Sequence, residues 1–413
     1  MSAQRVQQIA SHLLPAAPST AGKLGVKGDD DVVIVSALRT PITRAKRGGF
    51  KDTLPDVLLT AVLRATLERT GISPKEINDV AVGNVLAPGA GATQARMAAL
   101  AAGLTIETAV VAVNRQCSSG LQACAQIAAA IRAGYIDVGI GAGVESMTAH
   151  YGAGAMGEAS EEIINTSPSV AACQLPMGIT SENVAKAYGI TRQAQDTLAA
   201  DSHRKAFEAR KAGRFQEEIV PVTLRAEDGS TQVIREDDGI RQGVTAQSLS
   251  KLKTVFDEKG STTAGNASQV SDGAAAVLLM RRSKARALGL TPLGKFVDSI
   301  AVGVPPEVMG IGPAIAIPKV CQRVGLSPTD VDVVELNEAF ASQAVYCIDH
   351  LGLDPARVNP NGGAIALGHP LGCTGARQIA TLLPELKRRG AKVGLTSMCI
   401  GTGMGMAAII ERE

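Results

Sequence analysis

The sequence predicts an α/β protein built from two pseudo-symmetric mixed-sheet α/β halves with an inserted loop domain, and three observations carry the prediction. Strand-like runs rich in β-branched residues alternate with helical periodicities. The same motifs recur in the same order in the second half, at nearly one offset. A stretch in the middle fits neither half. The expected division is a tail and linker over 1–31, one half over 32–148 and 269–292, the inserted loop domain over 149–268, and the other half over 293–413.

Val32–Val35 reads as a buried strand, closed by Arg39-Thr40-Pro41. Leu54–Thr70 has helical spacing at Leu58, Leu59, Val62, Leu63 and Leu67, and Gly71 ends it. Val80–Val85 and Ala109–Val113 read as strands, Ser118–Ala133 as a helix and Val138–Gly143 as a strand. Such alternation implies parallel pairing with helices covering the sheet. Gly71-Ile72-Ser73-Pro74 matches Gly325-Leu326-Ser327-Pro328 at an offset of 254 (71 to 325). Ser119-Gly120 and Val138-Gly139 match Thr374-Gly375 and Val393-Gly394 at an offset of 255 (119 to 374). Within 149–268, Ser181–Tyr188 and Arg192–Ala212 read as amphipathic helices. The stretch holding Arg225, Glu227, Asp228, Arg235, Glu236, Asp237 and Asp238 reads as a solvated face lying over the functional end of the sheet.

Composition narrows the function. Lys+Arg 41 against Asp+Glu 39 leaves +2, which argues against binding nucleic acid or a membrane surface by bulk charge. With aromatics at 2% and no tryptophan, stacking platforms for single strands are also excluded. The 44 glycines point to tight turns and close backbone approach instead. Seven dispersed cysteines, at 117, 124, 173, 321, 347, 373 and 399, form no C-x-x-C pair and suit a reducing compartment. No metal ligand set is legible, and no apolar run nears the ~18 residues that span a bilayer.

Three glycine-rich turns carry candidate chemistry. Asn114-Arg115-Gln116-Cys117-Ser118-Ser119-Gly120 places Cys117 where a strand ends and a helix begins. There the helix dipole favours thiolate and the following N–H groups face any oxyanion. Gly368-His369-Pro370-Leu371-Gly372, before a helix read as Cys373–Leu383, boxes an imidazole, the usual base for a thiol. By the repeat, this turn is the counterpart of the Cys117 turn, so the two are expected near a shared axis. Ser397-Met398-Cys399-Ile400-Gly401-Thr402-Gly403 places a second cysteine in a turn whose N–H groups form an anion nest. Asn337, in Glu335-Leu336-Asn337-Glu338, follows an apolar strand and offers an amide to a water or carbonyl. The competing readings are buried small hydrophobes for the cysteines, a surface residue for His369 and a helix N-cap for Asn337. Together the turns indicate covalent thiol chemistry with two proton handlers. His150, His203 and His350 read as ordinary surface or core residues.

NRQCSSGLQA, GVESM, MGITSEN, TTAGNASQVSDGAAA, VELNEAFASQA, NPNGGAIALGHPLGCTGAR and SMCIGTGMG together resemble the thiolase family, most nearly its peroxisomal 3-ketoacyl-CoA branch, from about Val32 to the C-terminus. The resemblance implies layered α-β-α-β-α packing and CoA-dependent cleavage of 3-ketoacyl-CoA in fatty-acid β-oxidation. It implies CoA as co-substrate, no tightly bound cofactor, no metal and a homodimer. Cys117 resembles the acylated nucleophile, His369 its activator and Cys399 the acid/base at the α-carbon. Asn337 resembles the holder of a water in one oxyanion hole, and the N–H groups of Cys117 and Gly401 the other. Arg241 and Ser268 fall in CoA-contacting stretches, and Met177 and Met309 in stretches lining the acyl pocket. Biosynthetic thiolases carry His-Met where this chain has Pro176-Met177, which weighs against acetoacetyl-CoA synthesis. That synthesis remains the alternative, ahead of a ketoacyl synthase or a non-catalytic acyl-CoA-binding relative. Arg5-Val6 with His12-Leu13 resembles a type 2 peroxisomal targeting signal, which implies an import receptor as partner; no secretory signal is legible.

Overall fold

The computed structural model describes residues 24–152, 157–225 and 228–413, so the targeting-like motif at Arg5–Leu13 lies outside the described residues. The first half comprises β1 (Val32–Arg39), α1 (Pro55–Thr70), β2 (Asp79–Gly83), α2 (Ala92–Ala101), β3 (Ala109–Val113), α3 (Ser119–Arg132) and β4 (Val138–Ser146). After the middle helices α4 (Met177–Tyr188) and α5 (Arg192–Lys211), the chain returns to the same half as β5 (Ser271–Arg281). The second half holds β6 (Gly294–Gly303), α6 (Gly312–Arg323), β7 (Val333–Leu336), α7 (Ala341–Leu351), α8 (Thr374–Arg389), β8 (Val393–Ile400) and β9 (Met404–Arg412).

The sheet order is β7-β8-β9-β6-β1-β5-β4-β2-β3. The first half thus reads β3-β2-β4-β5-β1. The second reads β7-β8-β9-β6, preceded by a bridge from Val358 to Val334 that stands where β3 stands in the first half. The duplication in the sequence is a duplication of topology. Pairing is mixed rather than wholly parallel. β2 runs parallel to β3 and β4, and β7 to β8, but β5 and β9 insert antiparallel to their neighbours. These two strands follow the inserted region and a tight turn, neither of which supplies a right-handed helical crossover.

The halves meet through Val33–Lys295 and Ile34–Gly294 and face each other across α3 and α8. One core cluster unites Ile34, Leu121, Ile127, Ile379, Leu382, Met398 and Ile400 from both halves. α1 and α2 cover the outer face of the first half, and α6 and α7 that of the second, completing five layers. α8 runs to Arg389, past the stop expected before Pro384. Leu386 is buried in the central layer, and buried Glu385 accepts hydrogen bonds from Asn361 Nδ2 (3.0 Å) and Arg389 Nε (2.6 Å), holding the last turn against the lost N–H.

One surface reading is corrected. Asp237 is buried, not solvated: its carboxylate accepts both Arg39 Nη groups (2.7 and 2.9 Å) while Arg39 Nε reaches Glu218 (2.6 Å). This ion triad pins the middle region onto β1. The segment read as a linker before β1 is clamped by Asp29–Arg286, Asp30–Arg281 and Asp31–Arg282 pairs.

Candidate active site

Glycines bring the turns together. A Cβ on Gly120, in the first turn of α3, would lie 2.6 Å from the Gly372 carbonyl oxygen. One on Gly372 would lie 2.7 Å from the carbonyl oxygens of Gly83 and Val144. Real Cβ atoms do not approach that closely, so only glycine lets the Cys117 turn abut the His369 turn. Glu145, at the end of β4, fastens the same joint. Its buried carboxylate accepts N–H groups from Val85 (3.0 Å), Leu86 (3.2 Å) and Gly372 (2.9 Å). Asn114 then links Val85 to the nucleophile turn, donating to the Val85 carbonyl (3.0 Å) and accepting from Gln116 N–H (2.9 Å). Burial pushes Glu145 up to about 7. Gln116, just before Cys117, and Thr402, just after Gly401, both hold left-handed backbone at φ 46° and 68°. Each such residue costs on the order of 1–2 kcal/mol, a cost the surrounding bonds must offset.

Cys117 is nearly buried, and its sulfur receives the N–H groups of Gly401 and of Cys117 itself. Burial outweighs these donors and pushes the thiol up to about 11, so the helix start does not by itself yield the thiolate expected from the sequence. His369 is buried in the adjoining turn, and desolvation, followed by the Arg377 charge, pushes it down to about 3. Its tautomer is set by Thr374. That hydroxyl donates to the Pro370 carbonyl (3.0 Å) and therefore accepts from His369 Nδ1–H (2.6 Å), leaving Nε2 as an acceptor for the Asn337 amide. Asn337 Nδ2 lies 3.3 Å from Nε2, while Asn337 Oδ1 is buried without a partner among the described residues. Asn337 is therefore not a helix N-cap; Phe340 holds that position for α7.

The resting pair is thiol and neutral imidazole. Alkylation of Cys117 by iodoacetamide is accordingly expected to rise about tenfold per unit over roughly pH 6–9, because the thiolate fraction of a raised thiol grows with pH. A plateau at the low end of that range would instead reveal a preformed thiolate–imidazolium pair.

Cys399 is fully buried in a small apolar cluster with Met309 and Ala339, against which Met177 and Phe340 pack. Burial, then the neighbouring Cys117 and Cys347, push its thiol well up. Met177 and Met309 thus converge on Cys399. Ser268 lies beside the Asn337 loop, its N–H donating to the Ala339 carbonyl (3.0 Å). Arg241 stands apart on the exposed side of the middle region, its backbone N–H meeting buried His203 Nδ1 (3.3 Å). Its place in the site is not marked by any contact to the three turns. Glu145, Thr374 and Gln343 were missed by sequence reasoning. The available signal for Glu145 was an acid in an otherwise small, apolar strand end; Thr374 and Gln343, five and six residues after His369 and Asn337 (369 to 374, 337 to 343) and at the start of other elements, carried none. All seven cysteines are free. Among the described residues no group of His, Cys, Asp or Glu is arranged to hold a metal ion, and no helix is long and apolar enough to cross a membrane.

Comparison with known proteins bears on this geometry. Residues 32–283 match the family profile "Thiolase, N-terminal domain" and residues 290–412 match "Thiolase, C-terminal domain". The chain is 56% identical over 393 residues to 3-ketoacyl-CoA thiolase 2, peroxisomal, of Arabidopsis thaliana, covering 93% of this chain and 84% of the relative. It is 54% identical over 421 residues to the mouse (Mus musculus) 3-ketoacyl-CoA thiolase B, peroxisomal, covering 98% of this chain and 99% of that one. The crystal structure of the dimeric peroxisomal thiolase of Saccharomyces cerevisiae superposes with a TM-score of 0.89 at 51% identity, covering 94% of this chain and 99% of the other.

Proposed function

The chain belongs to the thiolase family, and from that premise we propose that it is a 3-ketoacyl-CoA thiolase of fatty-acid β-oxidation, cleaving its substrate with CoA to acetyl-CoA and an acyl-CoA two carbons shorter. The observation that carries the reading is a thiol under two backbone N–H groups, beside a neutral imidazole whose unprotonated Nε2 meets the Asn337 amide, and a second thiol in an apolar pocket.

His369 Nε2 takes the Cys117 S–H proton as the sulfur attacks the 3-keto carbon. The negative oxygen of the adduct falls to the N–H groups of Cys117 and Gly401, donors worth roughly 3–4 kcal/mol each when preorganised. Collapse breaks the C2–C3 bond, and its electron pair moves to C2 and into the thioester carbonyl. His369 and a water held by the unpartnered Asn337 Oδ1 stabilise that enolate oxygen. Cys399 supplies the proton to C2, completing acetyl-CoA. Free CoA then attacks acyl-Cys117, its thiol proton returns to Cys399, the departing Cys117 thiolate takes back the proton held by His369, and ping-pong kinetics follow. Met177 and Met309 shape the acyl channel, where flexible thioethers tolerate varied chains. Arg241 and Ser268 face the CoA moiety.

The test follows CoA-dependent loss of 3-ketoacyl-CoA enolate absorbance with acetoacetyl-CoA and with 3-ketohexadecanoyl-CoA. Cleavage of the long chain is expected. Activity confined to acetoacetyl-CoA would move the protein to the biosynthetic branch.

The enzyme acts as a homodimer, as the yeast structure does, and in the peroxisome, as its plant and animal relatives do. The motif at Arg5–Leu13 is the address an import receptor reads. Residues 1–31 fused to a fluorescent protein are expected to direct it to peroxisomes, and Arg5→Ala to leave it cytosolic; unchanged import by the variant would remove the assignment.

A further inference from the structure

The two thiols of the site differ in what faces them. Both receive their own backbone N–H, but Cys117 receives a second donor, Gly401 N–H, whereas Cys399 Sγ lies 3.6 Å from an acceptor, Gln343 Oε1. The orientation of that amide is not free. Ala339 N–H, which can only donate, points at the same Oε1 at 3.2 Å. The carbonyl end is therefore locked toward Cys399, and Nε2 is left buried without a partner among the described residues. Gln343 is 1% exposed, in the first turn of α7 and beside the apolar cluster around Cys399. A buried amide donor left without a partner is destabilising, so the contacts of the carbonyl end are what fix this orientation.

We propose that Gln343 is a positioning residue that gives the second thiol its role: its locked carbonyl holds Cys399 as a thiol with the proton in place, ready for delivery to C2. A hydrogen bond accepted from the neutral form opposes ionisation, and one donated to sulfur favours it. Gln343 and Gly401 thus divide two chemically identical side chains into proton donor and nucleophile. In the cleavage direction the Cys399 S–H bond breaks as the C2–H bond forms, leaving a thiolate that the incoming CoA thiol reprotonates. The amide takes no part in bond making; it sets which protonation state waits for the substrate. This inference rests on the assignment of Cys399 as the α-carbon acid/base.

Two half-reactions separate the possibilities. Exchange of labelled CoA into acetyl-CoA runs through Cys117, with His369 passing the proton between the two thiols, whereas deuterium exchange at the acetyl-CoA α-carbon and cleavage of 3-ketoacyl-CoA need Cys399. In Gln343→Met, which keeps the volume and removes the acceptor, the Cys399-dependent reactions are expected to fall about 30-fold with CoA exchange within about twofold of wild type. Gln343→Glu, which keeps an acceptor toward both Ala339 N–H and the thiol, is expected to retain more of the Cys399-dependent rate than the methionine variant. Three results would overturn the inference: unchanged carbon chemistry in Gln343→Met, a parallel fall of both half-reactions, or a glutamate variant no better than methionine. Cys399→Ala measured alongside tests the premise, since carbon chemistry retained there removes the role of Cys399 itself.

Discussion

Replacing Cys117 with alanine is expected to lower CoA-dependent cleavage of 3-ketohexadecanoyl-CoA by roughly 10⁵-fold and to abolish the acyl-enzyme seen by mass spectrometry, as removal of a covalent nucleophile does elsewhere. The size of the effect follows from the absence of a stand-in. Cys399, the other thiol of the site, faces the Gln343 carbonyl, lies in an apolar pocket and is pushed well up by burial. Neither an anionic adduct nor a thiolate is stabilised there. The variant keeps the glycine joint and the Glu145 bonds that assemble the site, so circular dichroism should be unchanged. An acyl group found on Cys399, or turnover above about one per cent of wild type, would contradict the assignment of the nucleophile.

Cys399→Ala should separate the two halves of the reaction. Acyl transfer between acetyl-CoA and labelled CoA is expected within about twofold of wild type, because Cys117, Gly401 and His369 remain in place. Carbon–carbon cleavage and α-proton exchange are expected to drop about 10³-fold, the range general acid–base groups contribute. The asymmetry is physical. Thioester exchange passes charge only through sulfur and oxygen, which the N–H groups and His369 serve. Breaking C2–C3 places charge on carbon, which needs a proton from a group that has kept one. Equal loss of both activities would mean that the substitution disturbs the pocket of Met177 and Met309 rather than a proton path.

Much of the fold was legible because its signals are local. Ala109–Val113 is a strand over the residues its β-branched run indicates, and Pro55–Thr70 is a helix with the apolar face its spacing requires, ended by Gly71 in left-handed backbone. The duplication was legible because each half repeats the same short turns. The antiparallel strands β5 and β9, the helix running through Pro384 and the burial of Asp237 were not legible. β5 and Asp237 depend on partners more than a hundred residues away, the helix through Pro384 on a central layer that rewards burial over local propensity, and β9 on a tight turn at 401–403 that local periodicity does not reveal. Of the candidate site, Cys117, His369 and Cys399 stood out by their residue type in glycine-rich turns, and Asn337 as an amide just past an apolar strand. Glu145, Thr374 and Gln343 did not, because a buried acid, a helix threonine and a helix glutamine look ordinary until their partners are known.

The sequence by itself determined which side chains are available for the chemistry: two thiols and one imidazole in glycine-rich turns, and one amide past the end of an apolar strand. It also determined that the halves can approach backbone to backbone, since only glycine at 120 and 372 permits that contact. Only the tertiary structure decided the state in which each group is held. Burial raised both thiols and kept His369 neutral, Thr374 chose its tautomer, and Gly401 N–H and the Gln343 carbonyl gave opposite hydrogen-bond polarity to two cysteines. The reason is that ionisation and tautomerism are set by desolvation and by the direction of hydrogen bonds, and both belong to neighbours in space rather than along the chain.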